Sequence, residues 1–233
     1  MKSSLSILAL VAALVVSGLH GTRTAAQTAT GAGQGQGRQG RANPPRPDPT
    51  KPQKLDITDG SKARFKVQEQ LAGISFGSEA VGTTEAVTGT LVVQPDGSID
   101  SSQSKISVDL RTLKSDQELR DGYIKMETLQ TDKFPMAEFV PKRAQGLPVP
   151  LPAAPLGAQA GFQLIGDMTV HGVTKPVTWN VVATFTNAIV AGRATTTLLF
   201  ADFGMSKPSL ARLLSVDDKI QLEVEIRCRR SSL

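Results

Sequence analysis

The sequence predicts an all-β fold: an eight-stranded antiparallel barrel carrying one or two short helices. Three observations predict it. Downstream of Leu55 the apolar residues recur with period two rather than 3.6, the apolar segments follow one another without long helical stretches between them, and turn-forming clusters separate them. Strands in direct succession pair antiparallel, and a sheet of this size avoids exposed edges by closing on itself.

Taken in order, residues 1–26 have the layout of a cleavable export signal. Lys2 supplies the positive start, Leu5 to Val16 the apolar run, and Thr24, Ala25 and Ala26 the small residues of a cleavage site. The apolar run is short of the ~20 residues a membrane-spanning helix needs. A periplasmic or secreted location follows. Residues 27–54 turn to Gly, Gln and Arg and then to Pro44, Pro45, Pro47, Pro49 and Pro52. With little to bury, this stretch reads as a disordered linker that is flexible in its Gly-rich half and extended in its Pro-rich half. The domain proper is assigned to residues 55–233.

Within it, Ala63, Phe65 and Val67 alternate with Lys62, Arg64, Lys66 and Gln68. Ile106 and Val108 alternate with Lys105, Ser107 and Asp109, and Val177 to Phe185 repeats the pattern. The clearest strand is the last, where Ile220, Leu222, Val224, Ile226 and Cys228 alternate with Gln221, Glu223, Glu225, Arg227 and Arg229. Further strands are expected over 86–93, 136–140, 162–170 and 189–200, with turns at Pro95-Asp96-Gly97 and from His171 to Pro176. Ser115-Asp116-Gln117-Glu118 reads as a capping box opening a short helix toward Lys125 or Met126. A second short helix is expected over about 209–214.

Composition limits the chemistry. Seven of the 26 basic residues and one of the 21 acids lie before Leu55, leaving 19 basic and 20 acidic residues, a net of −1. The folded part has no surplus of cations for phosphates, which argues against nucleic acid as a partner. His20 lies inside the export signal, so a mature protein keeps one histidine, His171, and one cysteine, too few for a multi-histidine or thiolate metal site. No catalytic residue, metal or cofactor is assigned. His171 is read as a turn residue and Cys228 as a small hydrophobe on the inward face of the last strand. The uncharged stretch from Gln145 to Ala160, with four prolines and with Leu147, Val149, Leu151 and Leu156, is a loop that serves either as a lid or membrane contact or as ordinary surface.

Several segments, in order, resemble the YceI-like family of secreted bacterial barrels associated with polyisoprenoid binding. They are Ser104 to Leu113, Leu119-Arg120-Asp121, Phe134 to Phe139, Leu164 to Val177 and Asp202-Phe203-Gly204. The resemblance implies a lipocalin-like eight-stranded barrel whose long interior accommodates an isoprenoid chain. The inward faces then offer a candidate pocket wall of Phe65, Val67, Ile106, Val108, Phe139, Leu164, Met168, Trp179, Val181, Phe185 and Leu222. Leu119, Tyr123, Phe134 and Phe203 are added from the helix and the matched segments. Arg120 and Asp121 form either an ion pair at the barrel mouth, near a ligand head group, or a solvated helical pair. The expected partner is an isoprenoid or other long-chain lipid, held for carriage, storage or sequestration, and peripheral membrane contact and a homodimer stay open. An eight-stranded barrel is wide enough to be filled by its own side chains or to hold one small ligand, and the composition fits both. The competing expectation is a non-catalytic envelope structural protein with a filled barrel.

Overall fold

The computed structural model describes residues 44–73, 76–154, 157–209 and 213–233. The assigned export signal and most of the linker lie outside them. Eleven strands form one antiparallel sheet: β1 (Gln53–Ile57), β2 (Lys62–Leu71), β3 (Ser78–Thr84), β4 (Val87–Val93), β5 (Lys105–Asp109), β6 (Met136–Gln145), β7 (Ala158–Val170), β8 (Val173–Phe185), β9 (Ile189–Leu199), β10 (Leu213–Val216) and β11 (Lys219–Ser232). The ladder runs β1-β4-β5-β6-β7-β8-β9-β11, and pairing of β1 with β11 closes a ring of eight. The closed antiparallel barrel read from the alternation is the observed fold.

The three extra segments have simple origins. β1 and β2 are halves of one long strand against β11, because Ile57 faces Cys228 and Lys62 faces Glu225. Residues 58–61 bulge there, and Ser61 fills the gap by accepting from the Arg227 amide at 3.0 Å. β3 and β4 divide likewise at residues 85–86, with β3 on β2 and β4 on β1. β10 adds a short strand to the end of β2. It begins at Leu213, so the expected second helix does not extend to Leu213 and Leu214; residues 210–212 lie outside the described set.

Alternation puts the expected residues inward. On β11, Ile220, Val224 and Cys228 are buried while Gln221, Arg227 and Arg229 are exposed. Glu223 is on the outer face yet also buried, because Arg64 donates to it at 2.7 Å and Lys66 and Arg193 lie within 3.8 Å. The β7–β8 hairpin turns on His171 (φ 52°) and Gly172 (φ 75°), two successive left-handed residues that suit a two-residue turn. His171 thus occupies the expected turn.

β5 has only five residues, and the chain from 110 to 135 covers the barrel end that it leaves short. That stretch holds a 3-10 turn at Leu110–Thr112, the helix α1 (Glu118–Tyr123) and a π-type turn at Ile124–Thr128. The capping box is not observed. Ser115 Oγ donates to Asp121 Oδ1 at 2.6 Å, and the same carboxylate oxygen accepts from the Ser115 amide at 2.8 Å. Asp121, one turn into the helix, therefore does what Glu118 was expected to do, and Gln117 is the N-cap without a side-chain cap bond.

Candidate functional site: the barrel bore

The bore holds two apolar bays of about 170 Å³ and about 130 Å³. They adjoin, since Phe65, Leu110, Leu113, Ala137, Met168 and Leu222 border both. The larger bay runs toward Leu55, Phe185, Val190 and Cys228, and the smaller toward Val67, Val170, Phe200 and Ile220. For scale, an engineered apolar cavity of ~150 Å³ stays dry and admits benzene. The bore is hollow at that scale in two places, and neither fully open nor filled end to end.

Each end finishes in a buried charge. At the smaller bay, Glu69 continues the inward row Ala63, Phe65, Val67 of β2 and is 9% exposed. Arg120 of α1, 7% exposed, donates to Glu69 Oε1 at 2.7 Å and also to Asp116, whose side chain is largely in solvent. Both Glu69 and Arg120 border the bay, as does Thr128, a buried residue whose hydroxyl has no hydrogen-bond partner among the described residues. At the other end, Arg230 is the inward residue after Cys228. Its guanidinium donates to Gln53 Oε1 at 3.1 Å and to the carbonyls of Pro152, Thr186 and Leu151. These bonds pin the proline-rich insertion across the bore, where Leu147 and Leu151 line the larger bay and Val149 stays outside. Burial holds the Arg230 guanidinium below its ordinary pKa, assisted by nearby Arg46.

Ten of the expected pocket residues border the larger bay: Phe65, Ile106, Val108, Phe139, Leu164, Met168, Trp179, Val181, Phe185 and Leu222. Val67 and Arg120 border the smaller. Phe65 is seated on the backbone of Gly82, its β3 partner, where any Cβ would collide with the ring. Trp179 meets Phe139 edge to face at 6.2 Å, and its indole N–H is buried without a partner among the described residues.

Five expectations are corrected. Leu119 points outward and is 88% exposed, because neighbouring helix positions are turned by about 100° and Arg120 takes the inward one. Asp121 is turned away for the same reason: it binds Ser115, while Arg120 pairs with Glu69 and Asp116. Tyr123 borders neither bay, and its hydroxyl accepts from the Ser209 amide at 3.3 Å. Phe134 packs edge-on against His171 at 4.9 Å by the hairpin turn. Phe203, 1% exposed, is core in the turn Ala201–Phe203, where its carbonyl meets His171 Nδ1 at 3.3 Å.

Sequence reasoning missed Glu69, Thr128, Ile124 and Arg230, and left the insertion undecided. A signal existed for two: Glu69 and Arg230 each fall on the inward parity of an otherwise apolar row. Cys228 does face the larger bay, and burial pushes its thiol up to about 12, so it is an inert wall group there.

Fold and site together define a closed antiparallel β-barrel with a divided apolar bore, ends covered by helix and loop. Residues 55–228 match the model of the YceI-like domain, and the chain belongs to the YceI-like family. Relatives include UPF0312 proteins of Pseudomonas putida strains GB-1 and W619, each 35% identical over 130 residues, covering 51% of this chain and 62% of theirs. The chain therefore matches less than two thirds of the length of those relatives. Among solved structures, a polyisoprenoid binding domain from Saccharophagus degradans, implicated in plant cell wall breakdown, has a TM-score of 0.56 at 13% identity, covering 76% of this chain and 97% of that one. BcnA of Burkholderia cenocepacia has a TM-score of 0.51 at 13% identity, with 72% and 95% covered. At such identity the likeness is one of fold.

Proposed function

We propose that this protein is an exported, non-catalytic binding protein that holds an isoprenoid-type or other long-chain lipid in its bore for carriage, storage or sequestration. The observation that carries this reading is the pair of adjoining apolar bays, about 170 and 130 Å³, inside a closed barrel. Each methylene-sized group moved from water into such a wall gains about 0.8 kcal/mol, so a chain filling both bays has a strong reason to stay. A chain longer than the bays requires Phe65, Leu222 or the insertion to shift. The polyisoprenoid binding domain from Saccharophagus degradans, which shares the fold, supports an isoprenoid as cargo. Export rests on the signal-like composition of residues 1–26.

The test is to express the full chain in a bacterial envelope, recover it from the periplasmic and culture fractions, and identify organic-extractable molecules by mass spectrometry. A stoichiometric long-chain lipid in protein from those fractions is the expected result. Protein recovered there with no extractable lipid, and unable to take up an added prenyl chain, would defeat the binding role; retention in the cytoplasm would defeat export.

A further inference from the structure

The polar groups of the bore are unequally shared between its two bays. The larger is walled almost wholly by aliphatic and aromatic side chains, with the Trp179 N–H as an orphan donor. The smaller carries Arg120, Glu69 and the orphan hydroxyl of Thr128, all at least nine-tenths buried. An amphiphile lying along the bore places its polar end in the smaller bay, because a buried polar group without a partner costs about 1–3 kcal/mol and only this bay offers several partners.

The charge in that bay decides what kind of polar end it accepts. Arg120 is already bound to two carboxylates, Glu69 at 2.7 Å and Asp116. One guanidinium against two carboxylates leaves no positive charge to neutralise an incoming anion. Nor do the cations lining the larger bay supply any. Arg64 and Arg193, which border the larger bay, are tied to Glu223 and Glu225 on the outer face. Arg230 lies beyond the bay with its N–H groups on four neutral oxygens. Among the described residues every cation that lines the two bays, Arg64, Arg120 and Arg193, therefore has a carboxylate partner, and Arg230 lines neither bay.

We infer that the bore selects lipids with an uncharged polar end, such as a prenyl alcohol, over the same chain carrying a diphosphate, with Thr128 and the Arg120–Glu69 pair receiving that end. This deepens the lipid-binding reading and rests on it. A hydroxyl can both donate to Glu69 and accept from Thr128 or Arg120, whereas a diphosphate would be buried against Glu69 without a counter-ion.

Trp179 is the sole tryptophan and borders the bore, so its emission reports occupancy. Delipidated protein is titrated with geranylgeraniol, geranylgeranyl diphosphate and squalene in magnesium-free buffer. The alcohol is expected to bind at least about tenfold more tightly than the diphosphate. Glu69→Gln should narrow that ratio by strengthening diphosphate binding. Thr128→Val should weaken the alcohol about fivefold and leave squalene unchanged. Should Glu69→Gln not fold, Asp116→Asn, at an exposed position, tests the same narrowing. Diphosphate binding equal to or tighter than the alcohol overturns the inference while leaving lipid binding intact, as does an alcohol affinity indifferent to Thr128→Val. Failure of all three molecules to bind removes the lipid-binding reading itself.

Discussion

A leucine in place of Ala137 tests whether the bore is hollow. Ala137 is an inward residue of β6, opposite Val108, on the stretch of wall shared by both bays. The substitution adds three carbons to a space that holds none. At about 0.8 kcal/mol per carbon, less about 0.5–1 kcal/mol for the leucine rotamers, the net gain is about 1.5 kcal/mol. For a barrel of this size that is a rise of about 3–6 °C in Tm. Calorimetry of wild type and Ala137→Leu measures it, and titration with a prenyl alcohol on the Trp179 signal should show binding weakened by at least about tenfold, since the added side chain divides the bore. The reasoning fails if Ala137→Leu destabilises by the ~1–3 kcal/mol typical of an overfilled core. It fails equally if the variant gains stability but binds as before.

Three other outcomes follow from the same geometry. Arg230→Ala removes the donors that hold the Leu151, Pro152 and Thr186 carbonyls, so the variant should lose about 2–3 kcal/mol and be cut between residues 146 and 157 at protease levels that spare wild type, as read by limited proteolysis and mass spectrometry. The Cys228 thiol, pushed up to about 12, should resist a disulfide reagent at pH 8 until the barrel unfolds; because the native thiol keeps its proton where the unfolded one loses it near pH 8.5, its contribution to stability fades as pH rises from there toward 12, and Cys228→Ala should lack that fade. The Arg64 hydrogen bond holds Glu225 below the usual carboxylate range, and the Arg111 hydrogen bond does the same for Asp109. Their contribution is complete above about pH 4.3 and is lost as pH falls further, so urea midpoints should drop on the acid side and Glu225→Gln should drop less.

Much of the fold was legible because a strand writes its two faces directly into the sequence. The apolar parity of β2, β5, β8 and β11 placed Phe65, Ile106, Trp179 and Leu222 on the bore before any pairing was known, and the tally of alternating segments gave the strand number that the resemblance to the YceI-like family also implies. Where the parity carries a charge, at Glu69 and Arg230, it coincides with the two ends of the bore, a signal that the sequence reading passed over. The helix was less legible. Leu119 and Asp121 came with Arg120 in one matched segment, yet a helix turns each successive side chain by about 100°, so neither neighbour shares the inward face of Arg120; Tyr123, chosen as an amphipathic ring, accepts from the Ser209 amide instead.

By itself the sequence determined a closed antiparallel barrel with an apolar inner face, since alternation is a property of neighbouring residues along one chain. Tertiary structure decided how much space that face encloses, which segments cover its ends, and which carboxylates meet Arg120. Those depend on residues far apart in the chain: Glu69 and Arg120 are separated by 51 positions, and Leu151 and Arg230 by 79. Side-chain volume and long-range pairing emerge only when the strands are in register, so the hollow and its charged ends could be expected as a class but located only in three dimensions.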